Sequence, residues 1–233
     1  MSIATLIVVP ARAGSKGLPD KNIRRLGDKP LLAWTARAIA EADLPDCLSI
    51  LSTDSEQYAQ IGRQYGLPAP FIRPAACATD SASALQVAQH ALGWFRDQYG
   101  YLPERLMWLQ PTSPFRSPDA LRQAARMMAE PDVDAVVGCK EIHRDPTTLF
   151  RADDGYLVPL DSRQPTQTSR QQSRPLLTPN GAMYLCPSEY LLARLSFYPP
   201  NTRPLIMNAV QSLDIDTEED WAIAEAFIKQ GLV

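Results

Sequence analysis

Short aliphatic runs alternate with helical periodicities through the first 139 residues, and this alternation restricts the fold more than any other feature of the chain. Ile3–Val9 is an aliphatic and β-branched run, the pattern of a strand covered on both faces. Pro30 opens a helix to about Ala42, with Leu32, Thr35/Ala36 and Ile39 at helical spacing. Cys47–Ser52 reads as a second strand, and Ser55–Tyr65 as a helix with Tyr58, Ile61 and Tyr65 on one face and Gly66 as its stop. Leu85, Ala88, Leu92, Phe95 and Tyr99 line a further helix; Arg105–Gln110 is a strand, Ser117-Pro118 caps a helix to about Glu130, and Asp134–Cys139 is a strand. Such alternation predicts an α/β fold in three layers, a mostly parallel sheet with helices on both faces.

The rhythm breaks at Lys140. Asp161–Pro179 is polar, carries Arg163, Arg170 and Arg174, and has no acidic residue after Asp161. Its length and polarity suit a lid, an insertion or a partner-binding arm. The pattern resumes with Gly181–Leu185, Arg203–Asn208 and a last helix from about Thr217. With no internal repeat and no clean linker, the expected organisation is one domain, 1–233, with an insertion at about 140–179.

The 233 residues carry a net charge of −3, so no global field draws the chain to nucleic acid or to an anionic membrane, and basic residues must act locally. No signal peptide is visible, and no segment approaches the roughly 18 apolar residues that span a bilayer. Cys47, Cys77, Cys139 and Cys186 are scattered without a C-x-x-C pair, which suggests reduced thiols in a cytoplasmic protein. Their spacing from the two histidines, His90 and His143, is unlike a zinc site. His90 reads as a surface or core residue on a helix, and the Met127-Met128 pair as helix packing.

The loop "ARAGSKGLPDKN", Ala11–Asn22, leaves the first strand at its carboxyl end, where open parallel sheets bind ligands. Backbone N–H groups near Gly14 and Gly17 could cradle phosphate oxygens, with Arg12, Lys16 and Lys21 neutralising them. Neither G-x-x-x-x-G-K-[ST] nor G-x-G-x-x-G is present, which excludes the P-loop and dinucleotide signatures. A solvated basic loop is the plainer alternative. Four other stretches are ambiguous taken singly. "STD" (Ser52–Asp54) follows the second strand, "RPAACATDSAS" (Arg73–Ser83) could be a helix cap, and "LQPTSPFR" (Leu109–Arg116) could be a turn. "SLDIDTEEDW" (Ser212–Trp221) places Asp214 and Asp216 on one side of an extended segment, with Thr217 and Asp220 forming a helix cap. Two carboxylates facing one way suit Mg²⁺, which takes one or two of them plus phosphate oxygens, but aspartates at sheet ends also cap helices.

Taken together and in this order, these stretches resemble the cytidylyltransferases that activate sialic acids and related nine-carbon 2-keto sugar acids, including the legionaminic and pseudaminic acid enzymes. The loop is unlike that of the enzymes activating the eight-carbon acid Kdo. The resemblance implies a Rossmann-like nucleotidyltransferase fold with a small dimerisation or lid insertion. It implies CMP transfer from CTP to the anomeric 2-hydroxyl of the acid, with pyrophosphate released, in the making of lipopolysaccharide or capsule. On the nucleotide side it implies Arg12, Gly14, Ser15, Lys16, Lys21, Asn22, Arg73, Asp80, Ala82 and Ser83. Gln110, Arg170, Asn180 and Tyr184 would bind the acid. Asp214 and Asp216 would hold Mg²⁺ and, with Arg12 and Lys21, form the catalytic set. A homodimer is implied, the insertion reaching the partner's pocket, and His143 falls near the acceptor.

The chain departs from that pattern at two positions. Thr147 stands where some bacterial members have a lysine, and Thr178 where they have an arginine before Pro-Asn-Gly. Arg163 or Arg174 would compensate, or the acid differs from N-acetylneuraminic acid. Two alternatives belong to other classes: a glycosyltransferase using the Asp-x-Asp pair to hold a nucleotide-sugar, and a non-catalytic CTP-binding relative.

Overall fold

In the computed structural model, which describes residues 2–14, 17–79, 81–144, 146–160 and 176–233, each aliphatic run of the first half becomes a strand. The central sheet is built from β1 (Thr5–Pro10), β4 (Cys47–Ser52), β5 (Arg105–Trp108), β6 (Ala135–Ile142), β9 (Leu176–Pro187) and β10 (Thr202–Ile206). Its six strands run in the order β10-β6-β9-β5-β1-β4. Side by side, β1 is parallel to both β4 and β5, and β10 is parallel to β6. Two short pairs lie outside it: β2 (Arg25–Leu26) with β3 (Lys29–Pro30), and β7 (Phe150–Asp153) with β8 (Tyr156–Pro159).

Helices α1 (Leu31–Ala42), α2 (Glu56–Gln64) and α4 (Pro118–Met128) cover one face of the sheet, and α3 (Ala84–Tyr99) and α5 (Ser188–Arg194) the other. Strand alternation feeds both layers. Ile7 and Val9 pack with Ala36, Tyr58 and Leu121, while Leu6 and Val8 pack with Ala88, Leu92 and Phe95. Each of these large side chains contributes about 1.5–3 kcal/mol on burial. Helix α1 is apolar nearly all round because its other side meets a third cluster, where Leu31 and Trp34 pack with Phe115, Ile215 and Trp221 of α6 (Glu218–Lys229).

Three expectations need correction. The strand at Gly181–Leu185 is the middle of a longer one, β9, which runs antiparallel to both β5 and β6. Helix α2 buries Tyr58, Ala59 and Gly62 instead of Ile61 and Tyr65, because a Cβ at Gly62 would stand 2.7 Å from Leu51 Cδ2 and from the Leu67 carbonyl oxygen. Only a glycine lets the helix approach β4 so closely. The break at Lys140 falls inside paired strands, since Lys140, Glu141 and Ile142 face Thr178, Leu177 and Leu176. Beyond them lies the β7–β8 hairpin; Arg163, Arg170 and Arg174 fall outside the described residues.

The order of the sheet locates the site. From β1 the chain goes first to β4 on one side and then to β5 on the other, so the loops after β1 and β5 diverge and leave a crevice at their carboxyl ends.

Candidate active site

The loop after β1 is tied down at both ends. Ala11 N–H donates to the Ser52 carbonyl at 3.0 Å, and Ala13 N–H to Asp54 Oδ1 at 2.9 Å, which is what the Ser-Thr-Asp string does here. Gly14 has φ +73°, a left-handed conformation natural to glycine. A Cβ at Gly17 would lie 2.7 Å from the Asp216 carbonyl oxygen, so this glycine makes room for the chain's own backbone. A short 3₁₀ turn (Lys21–Ile23) then points Lys21 and Asn22 inward, and both are buried. Lys21 Nζ donates to the Ile215 carbonyl at 2.7 Å and to Asp216 Oδ1 at 2.8 Å. Asn22 Nδ2 donates to the Arg12 carbonyl at 3.2 Å, while its Oδ1 is buried with no partner among the described residues. Ser15 and Lys16 lie outside the described residues.

Arg73 forms the next wall. Its N–H donates to the Thr53 carbonyl at 2.7 Å, and its guanidinium donates to the carbonyls of Ser52 at 2.6 Å and Cys77 at 3.2 Å. Burial pulls its pKa down, the Asp54 charge acting against that shift. Ala82 lines the cavity. Ser83 does not: it caps α3, accepting from Gln86 N–H at 3.2 Å while its own N–H donates to Gln86 Oε1 at 2.9 Å. Asp80 lies outside the described residues.

Gln110, Pro111 and Thr112 follow β5 and close the far side, where Asp214 and Asp216 enter. Ile215 is fully buried and its N–H donates to the Thr112 carbonyl at 2.8 Å, so the aspartates flanking it both border the cavity. Asp214 Oδ1 is buried without a partner among the described residues, and burial raises the pKa of this carboxyl, opposed by a hydrogen bond from Thr112. Gly181, at φ +79°, brings β9 against both groups: a Cβ there would lie 3.0 Å from Gln110 Oε1 and 3.4 Å from Asp214 Oδ2. The cavity so enclosed is about 530 Å³, and Arg12, Lys21, Asn22, Arg73, Ala82, Gln110, Asp214 and Asp216 all border it.

Two expected acid-binding residues are elsewhere. Asn180 is buried in a latch: Nδ2 donates to Ser212 Oγ at 3.0 Å, and Oδ1 accepts from Ala182 N–H at 3.1 Å. Tyr184 is half-buried, its ring centroid 5.1 Å from Phe197 and 6.1 Å from Tyr198, and it is not on the cavity wall. Arg170 lies outside the described residues. Thr147 is buried, and Thr178 is half-buried at the register position opposite Lys140. Trp108 and Thr112 border the cavity without having been singled out. Trp108 shares a strand face with Gln110 two residues on, a signal that was available in the sequence.

A doubly wound sheet whose switch-point cavity is walled by arginines, a lysine and two carboxylates defines a nucleotide-binding α/β enzyme. The chain belongs to the cytidylyltransferase family, whose model matches residues 6–232, and it is a nucleotidyltransferase. It is 34% identical over 226 residues to the CMP-N,N'-diacetyllegionaminic acid synthase of Legionella pneumophila, covering 96% of each chain. To the N-acylneuraminate cytidylyltransferase of Streptococcus agalactiae serotype V it is 34% identical over 220 residues, 93% of this chain but only 51% of that protein. The pseudaminic acid cytidylyltransferase of Campylobacter jejuni (strain NCTC 11168) is 25% identical, with 96% of both chains covered. Among solved structures, the CMP:2-keto-3-deoxy-manno-octonic acid synthetase complexed with CTP superposes with a TM-score of 0.69 at 17% identity, covering 97% of this chain and 99% of that one. That likeness shows the fold. Membership of the family decides against the glycosyltransferase reading of the Asp-x-Asp pair.

Proposed function

We propose that the protein transfers CMP from CTP to the anomeric 2-hydroxyl of a nine-carbon 2-keto sugar acid, sialic acid or a relative such as legionaminic acid. The observation that carries this reading is the convergence of Arg12, Lys21, Arg73 and Gln110 with Asp214 and Asp216 on one cavity. Full-length similarity to the legionaminic acid synthase supports the choice of acid.

In this reaction the acid's 2-hydroxyl oxygen bonds to the α-phosphorus, the bond to the bridging oxygen of the β-phosphate breaks, and pyrophosphate leaves with that electron pair. Positioning and charge neutralisation carry most of the acceleration. In this reading Arg12 and Lys21 meet the departing phosphates, Arg73 with Asn22 and Ala82 holds the nucleotide, and Gln110 hydrogen-bonds the acid. The hydroxyl proton passes to solvent or to Asp214 or Asp216, the two carboxylates on the described wall.

Asp214 and Asp216 fit a magnesium ion, since both border the cavity and one oxygen of Asp214 is a buried acceptor with no partner among the described residues. Among the described residues no cluster of three or more His, Cys, Asp or Glu could hold a metal, so phosphate and water would complete the shell. Bound there, Mg²⁺ would neutralise charge on the α-phosphate and lower the pKa of the hydroxyl.

The working unit in this reading is a cytoplasmic homodimer. The β7–β8 hairpin supports the dimer, because Tyr156 (75% exposed) and Leu157 (73%) would otherwise leave apolar surface in water. Pyrophosphate release from CTP and Mg²⁺, measured across nine-carbon and eight-carbon 2-keto acids, tests the assignment. Turnover with a nine-carbon acid is expected; none with any acid, in a folded sample that binds CTP, would overturn it.

A further inference from the structure

Arg116 is 3% exposed, and its guanidinium is spent inside the protein. Nε donates to the Ala182 carbonyl at 2.9 Å, Nη1 to Thr35 Oγ1 at 2.8 Å, and Nη2 to the Gln110 carbonyl at 2.5 Å. These acceptors belong to β9, α1 and the loop after β5. None is a carboxylate, and no ion pair to Arg116 is found among the described residues. Burial pushes its pKa down to about 9, opposed by the charge of Asp214, so the group remains a cation at neutral pH.

A buried cation with no ion pair among the described residues is an expensive way to join three elements when apolar packing would do. What a guanidinium adds is a planar fork that fixes the spacing of its acceptors. One of those acceptors is the carbonyl of Gln110, a residue that borders the cavity, and another belongs to Ala182, the residue after Gly181. Gly181 is where Gln110 Oε1 and the Asp214 carboxylate converge. Arg116 makes no hydrogen bond to Arg12, Lys21, Asn22 or Arg73, the residues on the nucleotide side.

We infer that Arg116 is the positioning residue of the acceptor side of the site, its fork setting the distance between the Gln110 loop and the β9 backbone at Gly181. The inference rests on the proposed function for the identity of the acceptor.

The test compares wild type with Arg116→Lys, which keeps the charge and loses the fork, and with Thr35→Val, which removes one acceptor away from the cavity. For Arg116→Lys the KM for the acid should rise about tenfold while the KM for CTP stays within about twofold, with a smaller shift of the same kind for Thr35→Val. A purely structural role would disturb both substrates together. Amide hydrogen exchange should quicken at 109–113 and 180–184 and stay unchanged at 11–14 and 17–22. Unchanged acid KM in whichever variant folds, a parallel rise in both KM values, or unchanged exchange at 109–113 and 180–184 would overturn the inference. The exchange comparison needs no substrate. Failure of the wild type to use any 2-keto acid would therefore count against the proposed function alone, and Arg116 would still be judged.

Discussion

Lys21 and Asp216 are separated by 195 positions in the chain and by 2.8 Å in the structure. Their side chains are 9% and 70% exposed, so the lysine is held inside while the carboxylate faces the cavity and solvent. That asymmetry predicts what Asp216→Asn does. The asparagine oxygen still accepts from Lys21 while the negative charge is lost. Stability should fall by about 1 kcal/mol, a shift of roughly 2–4 °C in Tm. Turnover should fall by roughly 100-fold or more, the size of a lost electrostatic contact at a reacting phosphate. Circular dichroism with the pyrophosphate assay checks both, and wild-type-like activity in a folded variant would remove Asp216 from the proposed metal site. Asn180 teaches the reverse. Its place in a Pro-Asn-Gly string suggested contact with the acid, yet its amide is consumed by Ser212 and Ala182. A side chain's partners are set by what packs around it, and no local pattern carries that information.

Helix α6 shows how much a short string can specify. Thr217 and Asp220 read as a cap and form a capping box: Asp220 N–H donates to Thr217 Oγ1 at 3.2 Å, and Thr217 N–H to Asp220 Oδ2 at 2.9 Å. The Asp216 N–H donates to the same carboxylate oxygen at 3.0 Å, so the cap also steadies the segment that carries the cavity aspartates. That backbone hydrogen bond, helped by those from Thr217, holds Asp220 below the usual carboxylate range. A carboxyl depressed in the folded state stabilises the fold above its unfolded pKa and loses that contribution as pH falls through its folded value. Asp220→Ala should therefore cost about 1 kcal/mol at neutral pH, and the gap to wild type should close as pH drops below about 4. Thermal melts from pH 7 to pH 2 measure it; a constant gap would mean the carboxylate's charge plays no part. Strand β9 was less legible. Its aliphatic residues marked a strand, but its antiparallel direction belongs to its long-range pairing with β5 and β6, and periodicity is blind to direction.

In the molecule as a whole, the largest apolar exposure on a described strand pair is the β7–β8 hairpin, with Tyr156, Leu157 and Phe150 outward. Should this surface join two copies, Tyr156→Asp with Leu157→Asp would leave the subunit folded, since neither side chain is in the core, and would convert a dimer into the 25.8 kDa monomer. Sedimentation equilibrium distinguishes the outcomes: a wild type already monomeric, or a double variant still dimeric, would count against a dimer through the hairpin.

The alternating aliphatic runs, the caps at Ser83, Ser117 and Thr217, and the crowded charges at Arg12 and Lys21 were readable from the chain because each depends on neighbours a few residues away. The resemblance of five ordered strings carried the reading as far as CTP. Tertiary structure alone decided that Gly17 yields to the backbone of Asp216, that Gln110 and Asp214 meet at Gly181, and that Arg116 lies buried behind them. Those contacts depend on strand order and close packing across the sheet, and residues far apart in one sequence leave no periodic trace of the side they will share.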